Sequence, residues 1–254
     1  MVTVELLGSG NAFLPSGRLH SFLTIDRRII IDCPPTALAS LRNAGISPAD
    51  IDTILITHVH GDHVFGFPFL LLERKYISDR EGLKKLTVAG SNGVRERLTQ
   101  LCDLAYPGSL NEIIENINWV DIPNLEGWTM ERFEVLHDPE VDPHGWMLTN
   151  DEGWSMLHSG DSGPCDELWN RIGRCKFAIV EMAVPEWVPT EHHHKPSDID
   201  ELANKFPDTK IVITHTYIDS DYKILTKEVP KLPDNVIHGE DNMRFELDSN
   251  GSLC

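Results

Sequence analysis

The segment IDTILITHVHGDH, residues 51–63, constrains this chain more than any other. An apolar run from Ile51 to Ile56 stops at Thr57, and His58, His60, Asp62 and His63 follow within six residues. The run reads as a buried strand, and the polar cluster as the turn it delivers. Four ionisable groups this close compete for protons and solvent with no structural gain. A divalent cation removes the conflict, because imidazole nitrogen and carboxylate oxygen are both good ligands for it. In an extended turn His58 and His60 project to one side and can share one ion. Asp62 and His63 lie one step further and can hold a second, with Gly61 allowing the tight backbone between them.

The remaining composition narrows the setting. At 254 residues and 41% hydrophobic, the chain can bury one large core or two smaller ones. No apolar run approaches the ~20 residues of a membrane span. The opening MVTVELLGSGN lacks a basic leader and a small-residue cleavage site, and reads as a first strand. A soluble, cytoplasmic protein with no membrane partner is expected. The net charge of −18 disfavours extended nucleic acid as a partner. The five cysteines are odd in number, and no two are spaced C-x-x-C, which suits reduced thiols.

Nothing in the chain reads as a linker, so residues 1–254 are expected to form one domain. Strands are expected at TVELLG, SFLTID, RRIIIDC, IDTILIT and LTVAG. Further strands are expected at INWVDI, WTMERFEVLH, HGWMLTN, within GWSMLHSGD, and at FAIVEMA and KIVITHT. Helices are expected over PPTALASLRNAG, Phe65 to Arg74, NGVRERLTQLCDLA, CDELWNRI and PSDIDELANKF. The two halves have similar layouts, and ILITHVH (54–60) is echoed by IVITHTY (211–217). The pattern favours an α+β class, with two sheets packed face to face and helices outside.

The H-x-H-x-D-H cluster after a buried strand resembles the signature of the metallo-β-lactamase superfamily. The resemblance implies a four-layer αβ/βα sandwich, two mixed β-sheets with outer helices, and a two-metal site at one rim. It points to three more positions at strand ends: His137 in FEVLHDPEVDPHGW, Asp161 in SMLHSGDSG and His215 in VITHTY. His144 competes with His137, and His137 is preferred because the ligand in the family directly follows the strand. The implied sets are His58, His60, His137 and Asp161 on one ion, and Asp62, His63, Asp161 and His215 on the other. Such a centre would hold a bridging hydroxide, since coordination lowers the pKa of water to about 7. The expected cofactors are two divalent metal ions. His60 stands where oxygen-handling members carry Glu, which favours zinc, with manganese or iron also compatible.

Two further stretches, LGSGNAFLPSGRLHSF and IVEMAVPEWVPTEHHHKPSDIDELA, resemble the ribonuclease Z and cyclic-phosphodiesterase branch. That alignment makes His194 the general acid, with His193 its neighbour and competitor. Asp62 is the other candidate catalytic residue. Asp32, ending the apolar RRIIID, is expected to orient a ligand histidine or the metal loop. In ribonuclease Z a tRNA-gripping arm commonly separates the third histidine ligand from the bridging aspartate. Here only 24 positions separate His137 from Asp161. The expected function is therefore a dinuclear metal-dependent hydrolase acting on a small phosphodiester, such as a cyclic nucleotide. The competing readings are a ribonuclease Z-like tRNA 3'-processing endonuclease, a thioesterase or lactonase, and a metal-binding member of the fold without turnover. A homodimer is compatible with all of them.

Overall fold

The computed structural model describes residues 1–218 and 230–254. In chain order its strands are β1 (Val2–Gly8), β2 (Phe22–Ile25), β3 (Ile29–Ile31), β4 (Thr53–Leu55), β5 (Leu86–Ala89), β6 (Ile117–Val120), β7 (Trp128–Glu134), β8 (His144–Asn150), β9 (Ser155–His158), β10 (Phe177–Glu181), β11 (Lys210–Thr214), β12 (Val236–His238) and β13 (Met243–Leu247). The helices are α1 (Ala37–Asn43), α2 (Gly61–Val64), α3 (Phe67–Glu73), α4 (Val94–Ala105), α5 (Asn111–Glu115), α6 (Asp166–Ile172) and α7 (Pro196–Lys205).

The strands form two mixed sheets. One has the order β13-β1-β2-β3-β4-β5-β6 and the other β12-β11-β10-β9-β8-β7. In each, antiparallel pairs on one side give way to parallel pairs: β3-β4-β5-β6 in the first and β9-β10-β11-β12 in the second. The central parallel strands β3, β10 and β11 carry apolar runs, III, FAIV and IVI, because both of their faces are covered. In β3, Ile29 and Ile31 face the core between the sheets, while Ile30 faces the helices outside. In β10, Phe177 and Ile179 point inward, and Ala178 and Val180 point to the other side. This period-2 division makes three apolar layers. Leu41 of α1, Phe67 and Leu70 of α3, and Leu98 of α4 cover the first sheet. Trp146, Met156 and Val212 meet Val4, Ile25 and Leu55 between the sheets. Leu168 and Ile172 of α6, with Ile199 and Leu202 of α7, cover the second sheet. The expected four-layer αβ/βα sandwich is the fold observed.

The differences from expectation are local. The turn carrying His58 to His63 is extended only to His60; Asp62 and His63 lie on the single helical turn α2. The helix expected over Phe65 to Arg74 runs from Phe67 to Glu73, with Pro68 in its first turn. Strands β12 and β13 and helix α5 were not anticipated. The echoed strands β4 and β11 lie in opposite sheets, and both deliver a Thr-His pair to the same rim.

Candidate metal centre

The rim is organised from Asp32, a residue 2% exposed at the end of β3 with φ +64°. Its Oδ1 accepts the Thr57 backbone N–H at 2.8 Å. Its Oδ2 accepts the Thr57 hydroxyl at 2.8 Å and His63 Nδ1–H at 2.8 Å. A carboxylate only accepts, so these bonds fix the proton positions. His63 carries a hydrogen on Nδ1 and turns its Nε2 inward. The Thr57 hydroxyl, having given its proton to Asp32, accepts from His58 Nδ1–H at 3.0 Å, which bares His58 Nε2. His137 Nδ1–H donates to the His192 carbonyl at 3.1 Å, baring its own Nε2.

The consequence is a convergence of lone pairs. His60 Nδ1 lies 3.1 Å from His58 Nε2 and 3.2 Å from His137 Nε2, and two of these three nitrogens carry no hydrogen. Beside them, His215 Nε2 lies 3.2 Å from Asp62 Oδ2 and 3.5 Å from Asp161 Oδ2. His63 Nε2 is 3.3 Å from Asp161 Oδ1, yet buried without a hydrogen-bond partner. Donor atoms of His58, His60 and His137 fall within 4.8 Å of one another, as do those of Asp62, His63, Asp161 and His215. Asp161 reaches toward both sets, with Oδ2 3.9 Å from His58 Nε2.

For His58 and His137 the electrostatics agree with the hydrogen-bond logic. Burial, with His63 beside it, pushes His58 well below its ordinary value, so it is a neutral ring with a free lone pair. Burial pushes His137 down to about 4 in the same way. Burial also opposes a charge on His63, but the carboxylates of Asp161 and Asp32 outweigh it and hold His63 well above the usual value. Burial would raise Asp161, and the surrounding His215 and His63 instead hold it well below the usual carboxylate range. The pocket thus draws positive charge toward Asp161. An orphaned imidazole nitrogen, two bare ones and two carboxylates form a donor set suited to dications of the zinc type.

Most of the candidate positions meet here. All seven candidate ligands do, and His144 does not: its Nδ1 bonds the Asp142 carbonyl at 2.7 Å. His144 instead braces the rim through its backbone, its N–H donating to the Thr57 carbonyl at 3.0 Å. Gly160, at φ +62°, carries the chain from β9 to Asp161, where a Cβ would lie 2.7 Å from the His144 carbonyl oxygen.

His194, expected as the general acid, does not line the cavity. It is fully buried, with Nδ1–H donating to the Ser162 carbonyl at 2.6 Å and Nε2 accepting Trp169 Nε1–H at 3.0 Å. Both nitrogens are consumed in the interior, so the residue has no proton to offer a substrate. His193 lines the cavity instead, with Nδ1 2.7 Å from Glu181 Oε1. Burial opposes its charge, but the Glu181 carboxylate prevails through charge and hydrogen bond and lifts it to about 9. Glu181 itself is raised by complete burial. It is also held by the N–H groups of Ser162 and Ala183, at 3.1 and 2.7 Å. Nothing in the sequence around His20 marks it as a neighbour of the cluster. It is a buried ring beside Thr36, lowered by burial and lying in the field of Asp62, His63 and His215. The cavity above the cluster is about 190 Å³, with Asn11, Ala12 and Phe13 on one side and Ala183, Val184 and His193 on the other.

The sequence model described as the Beta-lactamase superfamily domain matches residues 27–216. The chain belongs to this superfamily. It is a metal-dependent hydrolase with the metallo-β-lactamase fold, as the His-Asp signature implied. Its curated relatives include ribonuclease Z of Pyrobaculum aerophilum, 23% identical over 253 residues, covering 85% of this chain and 86% of the relative. Ribonuclease Z of Clostridium perfringens is 29% identical over 197 residues, 75% of this chain and 58% of that protein. Among solved structures, the metallo-beta-lactamase fold protein YhfI from Bacillus subtilis superposes with a TM-score of 0.72 at 14% identity, covering 96% of this chain and 98% of that one. The short form of human tRNase Z gives 0.72 at 18% identity, with the same coverage. A diphosphatase from the PhnP family gives 0.70 at 17%, covering 100% of this chain and 99% of that one. No described helix is long and apolar enough to cross a membrane.

Proposed function

We propose that residues 1–254 act as a single phosphodiesterase unit that holds two divalent cations, zinc by preference, and cleaves small phosphodiesters with His193 as general acid. His58, His60 and His137 would hold one ion, Asp62, His63 and His215 the other, with Asp161 between them. When bound, such ions supply Lewis-acid chemistry and neutralise the charge that builds on a phosphoryl group in the transition state.

One observation carries the choice of substrate class. His193, backed by the buried Glu181, lines the same cavity as members of both ligand sets. Glu181 fixes Nδ1, which leaves Nε2 as the nitrogen free to donate. A departing alkoxide needs a proton, and an imidazole held protonated at neutral pH supplies it. Among proteins that share the fold are a diphosphatase and a tRNase Z, both named for substrates that carry phosphate. A second reading, tRNA 3'-end cleavage, draws support from the relatives named ribonuclease Z. Against it stand the net charge of −18 and the occupation of residues 139–158 by a short turn and the hairpin β8–β9.

Kinetics on the zinc-loaded protein with a cyclic nucleotide, an aryl diester, a thioester and a precursor tRNA separate these readings. Diester cleavage is expected, with the tRNA cut poorly. His193→Ala should slow the cyclic nucleotide by about 10²–10⁴-fold and the activated aryl ester far less, because the latter leaves without a proton. Efficient tRNA cleavage would overturn the small-substrate reading. Thioester turnover without diesterase activity would overturn the phosphodiester reading.

A further inference from the structure

We propose that Phe13 is a stacking platform for a planar base carried by the substrate beside its scissile phosphate, so that the enzyme selects nucleotidyl over simple alkyl phosphodiesters. The inference rests on the phosphodiesterase reading above and adds the part of the substrate that lies outside the metal cavity.

Phe13 combines two properties that are seldom found together. Its side chain is the most exposed aromatic ring among the described residues, at 82%, and yet it lines the cavity over the metal-ligand cluster. Single exposed apolar residues are ordinary on protein surfaces. This one is mounted on a fixed frame. The Phe13 N–H donates to Asn11 Oδ1 at 3.0 Å, and Asn11 is itself 4% exposed. Asn11 Nδ2 donates to the Ala183 carbonyl at 3.1 Å, and its backbone N–H to the Thr216 carbonyl at 3.2 Å. Phe13 is thereby tied to the segments that follow Glu181 and His215. The next turn holds Leu14 and Ser16 at φ +51° and +53°, a left-handed conformation costly for residues with a Cβ. Such backbone persists only where the surroundings over-determine it.

Size then decides what the ring meets. The cavity of about 190 Å³ is smaller than the ~300–1,000 Å³ of sites that enclose a whole drug-sized ligand. It admits the phosphate and the atoms next to it, and the remainder of a substrate must lie across the rim. A phenyl ring on that rim offers a π-face and no hydrogen bond. It therefore favours any planar base over a bare sugar and discriminates weakly among bases.

Calorimetry on the zinc-loaded protein tests this without turnover. Adenosine 5'-monophosphate and ribose 5-phosphate share phosphate and sugar and differ by the base. The wild type should bind the nucleotide about tenfold more tightly, in line with base–aromatic stacking. Cytidine and guanosine monophosphates should lie close to the adenosine value. Phe13→Ala should bring the ratio near one and leave both the ribose 5-phosphate affinity and the zinc content unchanged. Phe13→Trp should keep the ratio or raise it. A wild-type ratio near one, or a ratio that survives Phe13→Ala, overturns the proposal. Because the readout is binding, loss of the platform is distinguishable from failure of the phosphodiesterase reading, which only the kinetics would reveal.

Discussion

Replacing Asp32 should separate metal binding from folding. The carboxylate accepts three hydrogen bonds, each 2.8 Å long, from Thr57 N–H, the Thr57 hydroxyl and His63 Nδ1–H. Asp32→Ala strands three buried donors. An unsatisfied buried donor costs about 1–3 kcal/mol, and a water entering the vacated space relieves part of that. A loss of about 3–5 kcal/mol follows, a large share of a typical domain stability of about 5–15 kcal/mol. Asp32→Asn is the sharper probe. Its Oδ1 can keep the Thr57 N–H bond, but its amide then points N–H at His63 Nδ1. The imidazole must accept there, which moves its own hydrogen to Nε2, the atom facing Asp161. Stability should fall modestly, while zinc affinity should fall about 10–100-fold, the usual cost of losing a partner behind a ligand. Competition against a chromophoric chelator gives the affinity, and urea midpoints give the stability. Wild-type zinc affinity in Asp32→Asn would refute the tautomer argument and leave Asp32 a purely structural residue.

Elemental analysis of protein purified without chelators should find about two divalent ions per chain by the two-metal logic; fewer than one, not restored by zinc or manganese, would sink the ligand assignment. In the same assay His137→Ala should lose an ion and His144→Ala should retain both, since only His137 joins the cluster. Acid stability should report on His194, whose burial lowers it to about 4. Its unfolded value is about 6.5, so below that pH the unfolded chain takes up a proton that the folded one refuses. Stability present above about 6.5 is then lost at up to about 1.4 kcal/mol per pH unit as the pH falls toward 4. Urea midpoints of metal-free wild type and His194→Asn, compared across that window, should show a shallower slope in the variant; equal slopes would contradict the assignment.

Much of this was readable in the chain because the chemistry is dense and local. His58 to His63 follow one strand without a gap, so their convergence needs no tertiary information. His215 was legible as a candidate through its echo of His58, and Asp161 only through the superfamily resemblance, since SGDSG by itself is ordinary turn sequence. The choice between His193 and His194 was not legible. Adjacent residues point in different directions, and which one meets the cavity depends on how the segment after β10 returns to α7. Trp169, from another helix, occupies His194 Nε2, and His193 is the one that lines the cavity. Strand β12 has only three residues and shows no clear period, whereas β13, MRFEL, alternates apolar and charged residues strictly and was legible as a half-buried strand. The exposure of Phe13 is likewise a property of the assembled rim, since nothing in AFLP marks the ring as facing solvent.

The cluster draws His58, His60, Asp62 and His63 from the first sheet, and His137, Asp161 and His215 from the second. Ions held there would act as rivets across the seam between two halves that otherwise meet through apolar side chains and a few hydrogen bonds, such as His144 N–H to the Thr57 carbonyl and Trp146 Nε1–H to the Ile56 carbonyl. Their binding energy then favours the closed sandwich by mass action. A mutation deep in the inter-sheet core, at Trp146 or Met156, would register at the rim as faster zinc release long before the protein unfolds, and a chelator would be felt first as slippage between the halves.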